Sequence, residues 1–208
     1  MKDSDPRGRI LKAACELFGE KGFKPTTIRE ICKNADVSLA LVNYHFKSKQ
    51  ALYEEILLSA IDDAFSKNPV HKFITEDMTP EEKLRNAIRL LMHRLLGSNG
   101  LGSNPYTVML VAKELTNPSN VMEKIYAYYL NGMISTMISV VKELVGDIDS
   151  EQLVRFTSSI AGQCLHPLLA RNILSRAGLE LGNTEEEIEK HAKHIYEFSL
   201  NGIKGYQL

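Results

Sequence analysis

Apolar residues recur along this chain at intervals of three and four, the period of helices packed on one side. Ile10, Leu11, Ala14, Leu17 and Phe18 form one stripe. Ile28, Ile31, Cys32 and Ala35 form a second, and Val42 and Phe46, preceded by Val37, form a third and shorter one. The spacing then predicts a long helix from Lys49 to about Ser66, ended by Asn68-Pro69. Further helices are predicted over 80–96, 105–116, 119–145, 150–176 and 185–204. Clusters of Gly, Ser, Asn and Pro at 97–105 and 117–119 separate them. Start signals agree with this division. Asp5-Pro6 offers an N-cap followed by proline in the first turn. Thr27 with Glu30, Thr79 with Glu82, Thr184 with Glu187 and, more loosely, Asp149 with Gln152 have capping-box spacing. Pro167 falls inside a predicted helix, where its missing N–H predicts a kink. Strand signals are sparse, so the expected fold is all-α.

The second and third stripes are joined only by Ala35-Asp36-Val37-Ser38, the spacing of a helix-turn-helix. Such a turn needs a residue in the left-handed region, and Asp tolerates it better than most. Ser38 then caps the third helix. With Val42 and Phe46 facing inward, Leu39, Ala40, Leu41, Asn43, Tyr44 and His45 are left largely outward, beside Lys47 and Lys49. That face suits a major groove. Thr27, at a helix N-terminus, suits a phosphate. Two short helices with a tight turn are also compatible with a purely structural role.

Charge changes the picture. The 208 residues carry a formal net charge of −1, which by itself points away from nucleic acid. Residues 1–50, however, hold ten Lys and Arg against six Asp and Glu, a balance of +4. The remainder holds fifteen against twenty, a balance of −5. The neutral sum hides a basic head and an acidic body.

The run Gly22-Phe23, Thr26-Thr27-Ile28-Arg29-Glu30-Ile31, Ala35-Asp36-Val37-Ser38 and Val42-Asn43-Tyr44-His45-Phe46, followed by Ser48-Lys49 and Leu52, resembles the TetR family of bacterial transcription regulators. The resemblance covers about residues 7–58. It implies a three-helix DNA-binding domain with a connecting helix over 1–66, and a helical effector-binding and dimerisation domain over 67–208. Carried over position by position, it implies that Thr27 and Lys49 touch phosphates and that Tyr44 and His45 touch phosphate or sugar. Leu39, Ala40, Leu41 and Asn43 would face base edges. Asp36 stands where the family usually has glycine. Asn43 replaces an aromatic and can hydrogen-bond an adenine edge, whereas Leu39, Ala40 and Leu41 can only pack on thymine methyls.

In the remaining two-thirds, Ile125 to Val141 and Phe156 to Ala170 are uncharged. A helix apolar on most faces is buried all round or lines a cavity. Met92, Tyr106, Met109, Tyr126, Tyr129, Met133, Met137, Gln163 and His166 are the candidate lining of a small-molecule pocket, polar groups among soft apolar walls. Plain core packing is the open alternative. Lys113 to Ser119, and Gly162-Gln163 with Leu165 ahead of Arg171, are similar to a TetR subgroup that responds to toxic or antibiotic-like compounds. A homodimer reading two operator half-sites is expected, seamed by the last two helices through Leu153, Ile160, Leu168, Ile188, Ile195, Phe198 and Leu200.

The absences matter too. No GxSxG, Walker A or GxGxxG run occurs, and His191 with His194 makes no convincing metal set, so neither enzyme nor cofactor is expected. The uncharged stretches are too short or too interrupted to span a bilayer. With no apolar leader and three scattered cysteines, a cytoplasmic protein is expected. The function expected is a ligand-responsive regulator bound to double-stranded DNA. Its rival is the same fold acting as a DNA-bound protein-interaction factor without a small-molecule ligand.

Overall fold

A computed structural model describes residues 5–178 and 184–206, and those residues contain helices and turns but no strand. The helices are α1 (Pro6–Lys21), α2 (Ile28–Ala35), α3 (Leu39–His45), α4 (Lys49–Lys67), α5 (Pro80–Leu96) and α6 (Pro105–Thr116). They continue as α7 (Val121–Ile125), α8 (Asn131–Val145), α9 (Ser150–Leu169), α10 (Arg171–Arg176) and α11 (Glu185–Tyr206). One expected single helix is continuous and one is divided. The helix expected over 119–145 runs from Val121 to Val145, with a π turn over Tyr126–Leu130 between α7 and α8. The 150–176 helix breaks at Ala170 (φ −90°, ψ 1°) rather than at Pro167, which is buried within α9.

Packing divides the chain into two compact units. One runs to Asp62 and includes Asn104–Met122; the other comprises Asp63–Ser103 and the chain from Glu123 onward. The segment 104–122, which sequence order placed beyond residue 66, therefore belongs to the first unit.

In the first unit, α1 is the hub. Ile10, Ala14, Leu17 and Phe18 are buried along it, as its stripe requires. Phe18, Phe23 and Tyr53 form an aromatic triangle with centroids 5.0–5.7 Å apart. Gly19 lets α6 approach closely: a Cβ there would meet the Tyr106 side chain at 2.8 Å. The α2–α3 turn is made by Asp36, the one described non-glycine residue with positive φ (φ 52°, ψ 56°). Val37 N–H returns to the Cys32 carbonyl at 3.0 Å and closes the helix end.

In the second unit, α5 is enclosed by α8, α9 and α11. Leu84, Ile88, Leu91, Met92 and Leu95 are buried along it. Ile188, Ala192, Ile195 and Ile203 are the buried stripe of α11. Arg89 forks onto Glu189 at 2.7 and 2.8 Å, and Lys83 meets Glu143 at 2.7 Å. The uncharged 125–141 stretch is not buried all round. Met137, Val140 and Val141 face the core, while Tyr126, Tyr128 and Ile134 are exposed. Lack of charge marked absence of ionic contacts, not burial. The expected dimer residues divide likewise: Ile160, Leu168, Ile188 and Ile195 are core, whereas Phe198 is 65% exposed. Val154, Leu169 and Tyr206 join Phe198 on the outside of α9 and α11.

Left-handed backbone costs a side chain with a branched Cβ about 1–2 kcal/mol. Asp36→Val should lower stability by about that amount, and Asp36→Gly should not; urea unfolding measures both. His191 on α11 has a buried Nε2 with no partner among the described residues. Burial, with His194 and His166 nearby, pushes its pKa below the ordinary 6.5. The folded state thus favours the neutral ring, and the unfolded chain binds the proton more readily. Stability should therefore fall as pH drops below about 6.5, and His191→Leu should flatten that slope in thermal melts taken across this range.

Candidate nucleic-acid interface

The α3 helix is held by two residues. Val42 is buried inside it and Phe46, its C-cap, is buried just beyond. Arg7 stacks on the Phe46 ring at 5.6 Å and pairs with Glu55. With that anchorage the opposite face turns outward. Leu39, Ala40 and Asn43 are exposed, Leu41 and His45 are half-buried, and Tyr44 is 82% exposed. An aromatic ring so far in water is poorly explained by stability. It stands edge-on to the His45 ring, with centroids 5.1 Å apart. Ser38 caps α3 by accepting the Leu41 amide at 3.2 Å.

Thr27 caps α2 in a complete capping box. Its amide and hydroxyl donate to Glu30, both at 2.9 Å, and its hydroxyl accepts the Glu30 amide. Lys21 and Thr27 together hold the Glu30 carboxyl down at about 2. A phosphate at this helix start must therefore share Thr27 with Glu30. Lys49 is tied to the loop ahead of α2. Its ammonium donates to the carbonyls of Phe23 (2.9 Å), Lys24 (3.3 Å) and Thr26 (2.9 Å), and sits 4.4 Å above the Phe23 ring. All three carbonyl partners lie in the 23–26 loop.

The nine residues expected to line one pocket are divided between the two units. Tyr106 and Met109 belong to the first unit; Met92, Tyr126, Tyr129, Met133, Met137, Gln163 and His166 belong to the second. Met92 is fully buried core, whereas Met109, Tyr126 and His166 are exposed. Gln163 is spent bridging α9 to α11 through Ser199 at 3.2 Å. Met133 and Met137 do share a crevice, with Val70, Ala87, Leu90, Leu91, Arg94 and Thr136. Its volume is about 20 Å³, room for one water.

Among the described residues, the group nearest to metal-ligand spacing is His93, Glu185 and Glu189. His93 lies 2.9 Å from Glu189 and 3.5 Å from Glu185. Because Arg89 already forks onto Glu189, the group reads as an ionic clasp between α5 and α11.

Residues 10–56 match the description "Bacterial regulatory proteins, tetR family", and residues 80–203 match "HTH-type transcriptional dual regulator CecR, C-terminal domain". The chain belongs to the TetR family. It is a DNA-binding transcriptional regulator. The probable HTH-type transcriptional regulator YttP of Bacillus subtilis is 30% identical over 126 residues, 60% of this chain and 57% of that one. The HTH-type transcriptional regulator UidR of Escherichia coli K12 is 27% identical over 177 residues, 75% of this chain and 88% of that one. A TetR-family regulatory protein from Rhodococcus RHA1 superposes with a TM-score of 0.66 at 20% identity, covering 95% and 96% of the two chains. Both of these relatives are described as transcriptional regulators. No described helix is long and apolar enough to cross a membrane.

Sequence reasoning missed Tyr53 and Glu114. Glu114 is only 3% exposed, yet its carboxylate accepts the Tyr53 hydroxyl at 2.8 Å and the Ser119 amide and hydroxyl at 2.9 Å each. Burial and the facing carboxylate push the Tyr53 hydroxyl pKa up. This bond ties α4 to α6 inside the first unit. The available signal was a carboxylate on the apolar side of α6. Tyr53→Phe should leave Glu114 short of a donor and cost about 1–3 kcal/mol, read by chemical denaturation.

Proposed function

We propose that the protein is a repressor that holds a palindromic operator as a dimer and leaves it when a small apolar or amphipathic molecule binds its second unit. The observation that carries the DNA half of this reading is the outward face of α3. Its apolar and aromatic side chains are exposed on a helix whose other side is pinned by Val42 and Phe46. Asn43 reads one base edge, Leu39, Ala40 and Leu41 pack on thymine methyls, and Tyr44 and His45 pack on sugar or phosphate. Thr27 and Ser38 offer hydroxyls at two helix starts. Lys49 acts one step back, by shaping the 23–26 loop. Exposed Val154, Leu169, Phe198 and Tyr206 on α9 and α11 supply the seam with the second copy. Such a protein works on DNA in the bacterial cytoplasm.

Ligand and DNA weaken each other equally, typically by 1–3 kcal/mol. The rival reading, a DNA-bound factor that engages a protein instead of a small molecule, draws support from the tightness of the Met133–Met137 crevice. Selection of bound sequences from random duplex DNA, followed by a compound screen for release, tests both. The expected outcome is a two-fold symmetric site released by a subset of amphipathic compounds. Lack of any enriched site would reject the operator reading, and lack of release would favour the rival. Within the selected site, Asn43→Ala should relax preference at one position per half-site, a loss of about 1–3 kcal/mol of discrimination, with other positions retained.

A further inference from the structure

The second unit buries a guanidinium that has no counter-charge among the described residues. Arg94, in the last turn of α5, is 5% exposed. Its Nε donates to the Asn68 carbonyl at 3.0 Å, and its Cζ lies over the Phe65 ring, 3.9 Å from the centroid. Tyr129 packs edge-on against that ring at 5.2 Å. Among the described residues no carboxylate pairs with Arg94, and burial alone draws its pKa down to about 10. Arg89, five residues earlier and more exposed, has the opposite treatment: a full fork onto Glu189. Solvation makes a partner dispensable on the surface and costly to omit inside. The distribution of partners is therefore inverted at Arg94.

Capping explains only part of it. The Asn68 carbonyl lies just past α4, and one donor suffices to cap it. The stacked face is taken by Phe65, and Nε by Asn68. The remaining edge of the fork, Nη1 and Nη2, matches a carboxylate. Arg94 also borders the crevice between α5 and α8. Its other walls are Leu90, Leu91, Met133 and Met137, with Thr136 as a further hydroxyl. Methionine is unbranched and adapts its shape, so the 20 Å³ crevice can widen along the Met133–Met137 wall. The π turn over Tyr126–Leu130 lies directly ahead of that wall, and such turns frequently accompany functional sites.

We propose that the effector is an amphipathic organic anion, its carboxylate forked onto Nη1 and Nη2 of Arg94 and its apolar body laid against Leu90, Leu91, Met133 and Met137. This rests on the ligand-responsive reading above and names the class of molecule that reading leaves open. An uncharged molecule of the same shape leaves the guanidinium unpaired and binds more weakly.

Decanoate and decan-1-ol separate the two cases, because they share a chain and differ in the head group. Binding to the full-length protein is measured by calorimetry and by thermal shift, for the wild type, Arg94→Met and Arg94→Lys. The expected result is that decanoate binds the wild type at least roughly tenfold more tightly than decan-1-ol. Arg94→Met should equalise the two probes, and without ligand it should melt at or above the wild-type temperature, because the buried charge is gone. Arg94→Lys keeps a cation and one donor for Asn68 but lacks the fork. It should fold and show a reduced decanoate preference, which keeps the test decisive if the methionine variant misfolds. Equal binding of both probes by the wild type, no binding of decanoate, or a decanoate preference that survives in Arg94→Met overturns the proposal. Release of the selected operator by uncharged compounds, undiminished in Arg94→Met, would leave the ligand-responsive reading standing and remove only the anion. Failure of every compound in the screen to release DNA would remove the reading itself.

Discussion

A seven-residue helix does not hold itself together in water. Nucleation costs more than so few hydrogen bonds return, and isolated helices below about 12 residues are marginal. The Leu39–His45 helix therefore exists because Val42 and Phe46 are buried and because Asp36 accepts a left-handed turn ahead of it. Everything the outward face does depends on that anchorage. The same constraint explains why so few inward positions are used. Two buried side chains fix the helix, and the rest are released for contact with a partner. Arg7 on the Phe46 ring and Lys49 in the 23–26 loop extend the support without touching the outward face.

Burial of charge is handled in two ways. In the first unit, Glu114 is buried and satisfied: a phenol, an amide and a hydroxyl converge on one carboxylate. In the second, Arg94 is buried with a carbonyl and an aromatic face but, among the described residues, no opposite charge. Low dielectric strengthens each satisfied bond and penalises each missing one. A completed network makes one arrangement rigid. An incomplete one leaves a site whose energy improves when a suitable group arrives.

The boundaries of most helices were legible because their causes are local. Thr27 with Glu30 and Thr79 with Glu82 form the reciprocal caps their spacing foretold. Asp5 caps α1, and Asp149 caps α9. Interruptions were harder. The break at Ala170 and the π turn at Tyr126–Leu130 have no strong residue signal, because alanine and tyrosine are ordinary helix residues. The outward side chains of α3 followed directly from the inward positions of Val42 and Phe46, two residues one turn apart. Lys49 did not follow, since a flexible side chain with three donors can turn to solvent or to nearby carbonyls with equal covalent ease. Met109, Tyr126 and His166 carried the right chemistry for a pocket, yet face outward. Their residue types report what a side chain can contact, and only packing selects the contact.

Local propensity and periodicity were enough to establish an all-helical chain, its helix-turn-helix and the split between a basic head and an acidic body. Each depends on neighbours within a few residues or on a plain sum of charge. The union of segment 104–122 with the first unit, the inward turn of Lys49, the enclosure of α5 and the isolation of Arg94 belong to the tertiary structure. They join groups tens of residues apart, such as Tyr53 with Glu114 or Asn68 with Arg94. Such pairings depend on which apolar faces meet. A helical period specifies that a face exists, while its partner is chosen by the shape and volume of all the others.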